Sequence, residues 1–200
     1  MFLILSNEMN KEQLTLLKGV FPQVNFNLEL ESKFASLWSE ATYSKGEFII
    51  QENQQEKYFR FVLEGIQVLY ILHKGKEIVL GFYYKGLVCS NFRSFLRKKP
   101  SELCIKTITP TKTLNISVDN YYKLFELSPD FQLWNRECYE YYIIDRFDRE
   151  LDLLTLSAKE RYDKFIVSCP DILHEIPQKY LASYLNMSQE TYSRIRRLKN

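Results

Sequence analysis

A long segment without helix-breaking residues is the feature that most constrains the fold. Between Pro129 and Pro170 the sequence contains neither glycine nor proline. Ser128 and Pro129 are typical of a helix start, because serine caps a first turn and proline is tolerated in it. One helix over 129–156 would have 28 residues and measure about 42 Å. Such a helix is longer than a small domain is wide.

The apolar residues of this helix recur every three or four positions, close to a heptad repeat with one shortened step. They are Phe131, Trp134, Cys138, Tyr141, Ile144, Phe147, Leu151 and Leu154. Further apolar residues lie off this line, so the helix needs more than one packing partner. We expect it to pack on a sheet of its own chain and on a second copy of itself. The residues expected to contact the second copy are Phe131, Trp134, Tyr141, Ile144, Phe147 and Leu151. A single buried helix in a monomer is the alternative.

The residues before this helix predict short helices followed by strands. Leucine and phenylalanine recur at three- and four-residue intervals up to about residue 40, which favours helix. From Tyr43 onward, five of the six glycines separate short runs rich in β-branched and aromatic residues. This spacing is typical of an antiparallel sandwich or barrel, which would enclose a pocket as well as a core. The predicted strands are 47–50, 58–63, 66–72, 77–84, 103–108 and 113–118, with a hairpin turn at 73–76.

Charge is distributed unevenly along the chain. The net charge is +2, but residues 176–200 hold five lysines and arginines against one glutamate, a net of +4, which leaves −2 on residues 1–175. No apolar run is long enough for a membrane span, and the apolar start over residues 1–5 is too short for a signal peptide. We therefore expect a cytoplasmic protein with no membrane partner and a basic C-terminal segment.

Cysteines and histidines give little support to metal or enzyme chemistry. Cys89, Cys104, Cys138 and Cys169 form no close pair, which argues against a zinc site, an iron–sulfur cluster and a disulfide framework. The two histidines, His73 and His174, lie about a hundred residues apart. A cupin-like enzyme with a metal at His73 is a remote alternative. We expect no enzyme activity, no metal site and no cofactor.

The basic C-terminal segment has the pattern of two short helices joined by a tight turn. Pro177 suits the start of the first helix, and Leu181, Ala182 and Leu185 give it an apolar face. Asn186 stands at the turn, where asparagine tolerates the left-handed conformation better than most residues. Ser188 is a strong N-cap for the second helix.

The second helix divides into an inward and an outward face. Met187, Tyr192 and Ile195 are expected inside, which leaves Gln189, Glu190, Ser193, Arg194 and Arg197 outside. In a helix-turn-helix, the outer face of the second helix enters the major groove of DNA. Arginine can bind guanine, glutamine can bind adenine and glutamate can accept from cytosine. A solvated helix with a Glu190–Arg194 ion pair is the alternative.

The whole chain resembles the Crp/Fnr family of bacterial transcription regulators, and its short-tailed members in particular. Residues 177–185 and 188–197 resemble the DNA-binding element of that family, and residues 45–47, 61–65 and 75–77 resemble its effector barrel. The resemblance implies an α+β fold: an N-terminal β-roll of the cyclic-nucleotide-binding jelly-roll type, a long dimerisation helix and a helix-turn-helix. It also implies that Gln189, Glu190 and Arg194 read bases and that Ser188 contacts a phosphate.

One departure from the family concerns the effector. The members of this family that bind cyclic nucleotides carry a phosphate cassette, which consists of a Gly-Glu pair and a later Arg-Ser or Arg-Thr pair. Here Ser90 and Asn91 occupy the first positions, and Ser101 and Glu102 lie near the second. A carboxylate without a paired arginine repels a phosphodiester. We therefore expect no cyclic AMP binding, and a solvated basic loop rather than a different anion site at residues 93–99.

These features together predict a homodimeric, sequence-specific regulator that binds double-stranded DNA and senses an unknown small-molecule effector. The expected domains are residues 1–127 for the sensor, 128–156 for the dimerisation helix and 157–200 for the helix-turn-helix. The expected phosphate contacts are Lys179, Ser188, Arg196, Arg197 and Lys199. A ligand-sensing module that signals through a protein partner is the alternative.

Overall fold

The computed structural model describes residues 9–170 and 172–198. Two helices come first, α1 (Lys11–Lys18) and α2 (Leu28–Ser36). The next region holds a set of strands with one short helix, α3: β1 (Trp38–Tyr43), β2 (Phe48–Ile50), β3 (Tyr58–Glu64), β4 (Gln67–His73), β5 (Lys76–Tyr83), β6 (Val88–Cys89), α3 (Phe92–Arg97), β7 (Leu103–Thr107) and β8 (Thr111–Ser117). The last region is helical: α4 (Val118–Leu127), α5 (Asp130–Thr155), α6 (Ala158–Ser168), α7 (Gln178–Tyr184) and α8 (Gln189–Arg197).

The strands form two four-stranded antiparallel sheets that face each other as a β-roll. Their strand orders are β1-β8-β3-β6 and β2-β7-β4-β5. The inner faces enclose an apolar cluster that includes Val62, Leu69, Cys89 and Ile105. The predicted α+β fold with a jelly-roll domain and a long helix is confirmed, and β5 stands at the edge of the second sheet.

The hairpin between β4 and β5 has the turn that its sequence predicts. His73 pairs with Lys76 across the turn. Lys74 and Gly75 both have positive φ angles, 50° and 74°. Two such residues give the primed turn whose twist matches that of paired strands.

Two strands and one helix of the roll were not predicted from the sequence. Residues up to about 40 were expected to be helical, but β1 begins at Trp38 and pairs with β8 from Trp38–Ile116 to Tyr43–Thr111. Strand β6 has two residues, too few for a periodic signal, and α3 follows it directly. Both strands form because they pair with a distant strand, β1 with β8 and β6 with β3, and not because of a local sequence pattern.

The long helix forms as predicted. Helix α5 has 26 residues, one fewer at each end than the expected 129–156, and measures about 39 Å. Helix α6 starts with a capping box, in which the Ser157 hydroxyl accepts from the Glu160 amide and the Glu160 carboxylate accepts from the Ser157 amide.

Two of the residues predicted as dimer contacts lie instead in the core of the protomer. Phe131 and Trp134, in the first turns of α5, are buried among Phe21, Phe34 and other aromatic side chains. The Phe131 ring stacks on that of Phe34 at 5.5 Å between centroids. A second copy cannot reach these side chains, so the prediction was wrong for this part of the helix.

The C-terminal helices do not have a core separate from that of the roll. The outward faces of β4, β5 and β7 share one buried cluster with α6, α7 and α8. Val68 and Val79 of the sheet are buried in this cluster together with Leu181 and Tyr192 of the helices. The roll therefore fixes the position of the C-terminal helix pair.

Candidate DNA-binding surface

The turn between α7 and α8 is closed by backbone hydrogen bonds. Asn186 adopts the predicted left-handed conformation, with φ of 52°. The Met187 amide donates to the Ala182 carbonyl at 3.0 Å, and the Asn186 amide donates to the Ser183 carbonyl at 3.1 Å. This is the Schellman arrangement, which satisfies the last carbonyls of a helix. The two helices are thus held at a fixed angle, as in a helix-turn-helix.

Helix α8 has the predicted inward and outward faces. Tyr192 and Ile195 are buried, and the Tyr192 ring packs edge-on against Tyr162 of α6. The predicted base-reading residues Gln189, Glu190 and Arg194 are all exposed. A shallow groove on this face is lined by Glu190, Ser193, Arg194, Arg197 and Leu198. The three base-reading candidates therefore lie together on one solvent-facing surface.

The first turn of α8 is set up by Ser188. Its hydroxyl accepts from the Thr191 amide at 3.1 Å, as expected of an N-cap. A hydrogen bond with Ser188 lowers the pKa of Glu190, so this carboxylate is ionised at neutral pH and can accept hydrogen bonds. Within residues 9–170 and 172–198, no ion pair joins Glu190 to Arg194. The Arg194 guanidinium therefore keeps its donors available.

The predicted phosphate contacts fall into three groups. Ser188, Arg196 and Arg197 are exposed around α8. Lys199 lies outside the described residues. Lys179 is engaged elsewhere, since its ammonium group lies 2.7 Å from the carboxylate of Glu77 on β5. This hydrogen bond raises the pKa of Lys179. In this structure the Lys179 cation links α7 to the roll.

Helix α7 is attached to the edge strand β5 by a serine that sequence reasoning missed. The Ser183 hydroxyl accepts from the Val79 amide and donates to the Glu77 carbonyl, both at 3.0 Å. An edge strand leaves such backbone groups unpaired, and Ser183 satisfies two of them. The sequence offers no signal for this contact, because the partners are more than a hundred residues apart.

Two arginines hold the end of α7. Sequence reasoning missed these residues as well. Arg149 of α5 donates to the Tyr184 carbonyl at 2.7 Å and lies over the Tyr184 ring at 3.9 Å. Burial lowers the pKa of Arg149. Arg161 of α6 donates from Nε to the Leu185 carbonyl at 2.8 Å and from a terminal nitrogen to the Asn186 carbonyl at 3.2 Å. Side chains of α5 and α6 thus hydrogen-bond to the carbonyls at the end of α7 and in the turn.

The remaining predicted dimer contacts form an exposed apolar stripe. Tyr141, Ile144, Phe147 and Leu151 are all exposed, and Leu154 extends the stripe by one turn. No described residue covers them. This stripe, residues 141–154 of α5, is hereafter the α5 seam. An apolar surface of this kind on one helix is typical of an interface.

Asn91, Ser101 and Glu102, at or near the phosphate-cassette positions, each have a partner within the protein. Asn91 donates to the Ser101 hydroxyl at 2.6 Å, and both are buried. Glu102 pairs with Arg93 at 2.8 Å on the surface. A cleft of about 340 Å³ opens here between Arg93, Arg97, Lys99 and Glu102. The basic residues of 93–99 are exposed, as expected, but most of this segment is not a loop, because Phe92–Arg97 form helix α3.

The residues considered for metal chemistry are dispersed. His73 lies exposed at the β4–β5 hairpin, outside the roll interior where a cupin-like metal would bind. Cys89 is buried inside the roll, and burial raises the pKa of its thiol above the usual range. Over residues 9–170 and 172–198, no three histidine, cysteine or acidic side chains come together as metal ligands. In the same residues, no helix is long and apolar enough to cross a membrane.

Comparison with known proteins gives matches to the sensor region and to the fold. The cyclic nucleotide-binding domain family matches residues 40–128. A Crp/Fnr-family transcriptional regulator from Eubacterium rectale is similar in structure with a TM-score of 0.69 and 20% identity, over 90% of this chain and 87% of that one. FixK2 from Bradyrhizobium japonicum has a TM-score of 0.68 and 23% identity, over 80% and 83%.

A third similar structure is the c-di-GMP responsive global regulator CLP from Xanthomonas campestris. Its TM-score is 0.64 at 18% identity, over 86% of this chain and 92% of that one. The search of curated proteins finds no match. At these identities the structures establish the fold, and the family match concerns residues 40–128 alone. Residues 40–128 are thus similar to a cyclic nucleotide-binding domain, and the chain has the fold of Crp/Fnr-type structures, as the resemblance in its sequence implies.

Proposed function

We propose that this protein is a homodimeric transcription regulator that binds double-stranded DNA sequence-specifically. The observation that carries the proposal is the outward face of α8, where Gln189, Glu190 and Arg194 are exposed on the second helix of a helix-turn-helix. The similar structures named as transcription regulators support it.

The exposed side chains have the chemistry that DNA recognition requires. Arg194 can donate two parallel hydrogen bonds to guanine, Gln189 can bind adenine and Glu190 can accept from cytosine. Ser188, Arg196 and Arg197 supply phosphate contacts at both ends of α8, and Lys199 adds a positive charge. Lys179 can contact a phosphate only if its ammonium group leaves the Glu77 carboxylate.

The α5 seam is the proposed dimer interface. Tyr141, Ile144, Phe147 and Leu151 would pack against the same residues of a second copy, with the helices parallel. A two-fold axis along this seam would present two recognition helices about 34 Å apart, the repeat of one DNA turn. The operator would therefore be a near-palindrome.

The effector is proposed to be a small molecule other than cyclic AMP. Glu102 stands near the position where the nucleotide-binding members have an arginine, and it already pairs with Arg93. Arg93 is thus already neutralised, and the other cations lining this cleft, Arg97 and Lys99, are exposed surface side chains and not a buried arginine that could hold a phosphodiester. Isothermal titration calorimetry with cyclic AMP should show no saturable heat, and a saturable isotherm would contradict the proposal.

The decisive experiment is selection of bound sites from random duplex DNA at fixed salt. The unaltered protein should enrich one near-palindromic sequence. Arg194→Ala should weaken binding to that site by about 1–3 kcal/mol and relax the preference at one base pair of each half-site. Arg136→Ala is the control, because Arg136 is an exposed arginine of α5 whose ion-pair partner among the described residues is Glu140.

The outcomes separate this function from its alternative. Equal loss of affinity on every sequence for Arg194→Ala would contradict its base-reading role. If no sequence is enriched and the protein instead binds another protein independently of salt, the module signals through a protein partner.

A further inference from the structure

The tip of the β4–β5 hairpin carries exposed positive charge. Lys74 and Lys76 are exposed on either side of Gly75, and neither forms an ion pair within the described residues. The tip is not a loose loop, because Lys74 and Gly75 form the tight turn and His73 pairs with Lys76. Two cations are thus displayed on a rigid support.

Contacts with α7 fix the tip relative to the helix-turn-helix. Glu77, the residue after Lys76, receives both the Lys179 ammonium group at 2.7 Å and the Ser183 hydroxyl at 3.0 Å. Lys179 is in the first turn of α7, and Ser183 follows one turn later on the same face. The hairpin therefore lies beside the start of α7, and the turn extends about 7 Å beyond Glu77, at some 3.4 Å per strand residue.

The local charge balance leaves the two lysines uncompensated. Glu77 neutralises Lys179, so the predicted phosphate contact at Lys179 is replaced by an internal ion pair. Lys74 and Lys76 remain as a net charge of +2 at the edge of the helix-turn-helix. In this motif the first helix crosses the sugar-phosphate backbone while the second lies in the groove. The hairpin is attached to α7, the helix that would cross the backbone in this motif.

We propose that Lys74 and Lys76 bind phosphates of duplex DNA next to the bases read by α8, so that the sensor domain itself is part of the DNA-binding surface. The proposal rests on the DNA-binding function given above and adds a contact outside the helix-turn-helix. Contacts of this kind add affinity and salt dependence but no base preference.

The test is titration of the full-length protein with its selected duplex at several salt concentrations. The variants are Lys74→Gln and Lys76→Gln, which remove the charge and keep a long polar side chain. Lys45→Gln is the matched control: Lys45 is an exposed lysine in another β-turn, beside Thr107 at the opposite end of the same sheet.

Each hairpin variant should bind more weakly and with a shallower slope of log affinity against log salt. The expected change is about 0.9 per lost phosphate, or about 1.8 for a dimer in which both copies lose the contact. The base preference should not change, and Lys45→Gln should behave as the unaltered protein. On a duplex trimmed to the selected base pairs, the difference between the hairpin variants and the control should disappear.

Two results overturn the proposal in distinguishable ways. If the unaltered protein selects DNA and Arg194→Ala impairs it, but the hairpin variants match Lys45→Gln, then the hairpin contact alone is wrong. If the unaltered protein binds no duplex, then the proposed function fails and the hairpin contact fails with it.

Discussion

The two halves of helix α5 have the same apolar spacing and opposite surroundings. In the first half Phe131 and Trp134 are 0% and 4% exposed, whereas in the second half Tyr141 and Phe147 are 75% and 62% exposed. The first half meets the aromatic cluster built by α1, α2, α4 and the roll. In the second half, no described part of the roll packs against the apolar stripe. The spacing of an apolar stripe is thus the same in both halves, and the neighbouring elements decide which part of it is buried.

The second half of α5 has a partner on its other face. Arg146 donates to the Leu80 carbonyl of β5 at 3.2 Å, and Arg149 donates to the Tyr184 carbonyl of α7 at 2.7 Å. This half of the helix therefore contacts the sensor and the helix-turn-helix at once. Polar side chains make these contacts, while the α5 seam stays exposed among residues 9–170 and 172–198.

The largest effect is expected in the buried half. Phe131→Ala should lower the free energy of unfolding by about 3–5 kcal/mol, because it opens a cavity in a packed aromatic cluster. Urea denaturation followed by circular dichroism measures the loss. It should be the same at every protein concentration, since Phe131 belongs to the protomer; a loss that shrinks on dilution would place Phe131 at an interface.

A somewhat smaller effect is expected in the exposed half. Phe147→Asp should raise the dimer dissociation constant roughly 100-fold, about 3 kcal/mol, because it places a carboxylate of each copy in an apolar seam. Sedimentation equilibrium measures this constant. Val167→Asp is the control, since Val167 is an exposed apolar residue of α6 outside the α5 seam. Equal self-association of the two variants would refute the proposed interface.

An intermediate effect is expected for the polar face of the second half. Arg149→Ala should lower the free energy of unfolding by about 1–3 kcal/mol, because it removes the hydrogen bond from the guanidinium to the Tyr184 carbonyl and the stacking on the Tyr184 ring. Arg149→Lys should recover only part of this, because an ammonium group lacks the planar fork.

Hydrogen exchange should locate the effect of Arg149. Amides at the end of α7 should exchange faster in Arg149→Ala, whereas Arg136→Ala should leave them unchanged. If exchange rises equally across the whole chain, Arg149 stabilises the protomer in general and does not link the long helix to α7.

The smallest effect concerns Cys138, which stands between the two halves. Partial burial raises the pKa of its thiol to about 11, so the thiolate should form only at high pH. The rate of alkylation by iodoacetamide at Cys138, followed by peptide mass spectrometry, should still rise above pH 9. A plateau near pH 8.5, the ordinary range of cysteine, would move the boundary between the halves toward Trp134.

Local features of the C-terminal motif were predictable because they depend on neighbouring residues. The left-handed Asn186, the Ser188 cap and the buried Tyr192 follow from turn chemistry and helical spacing. The start of β1 at Trp38 was not predictable, since its strand conformation depends on pairing with β8, over seventy residues later. The pairing of Lys179 with Glu77 was missed for the same reason.

The sequence by itself determined most of the elements other than β1, β6 and α3, the faces of α8 and the presence of an apolar stripe along α5. These depend on backbone propensity and side-chain period, which act over a few residues. Only the tertiary structure decided that the stripe divides into core and seam and that Ser183 holds α7 on the edge of β5. Burial and edge pairing depend on which distant segments meet, and no local spacing encodes that.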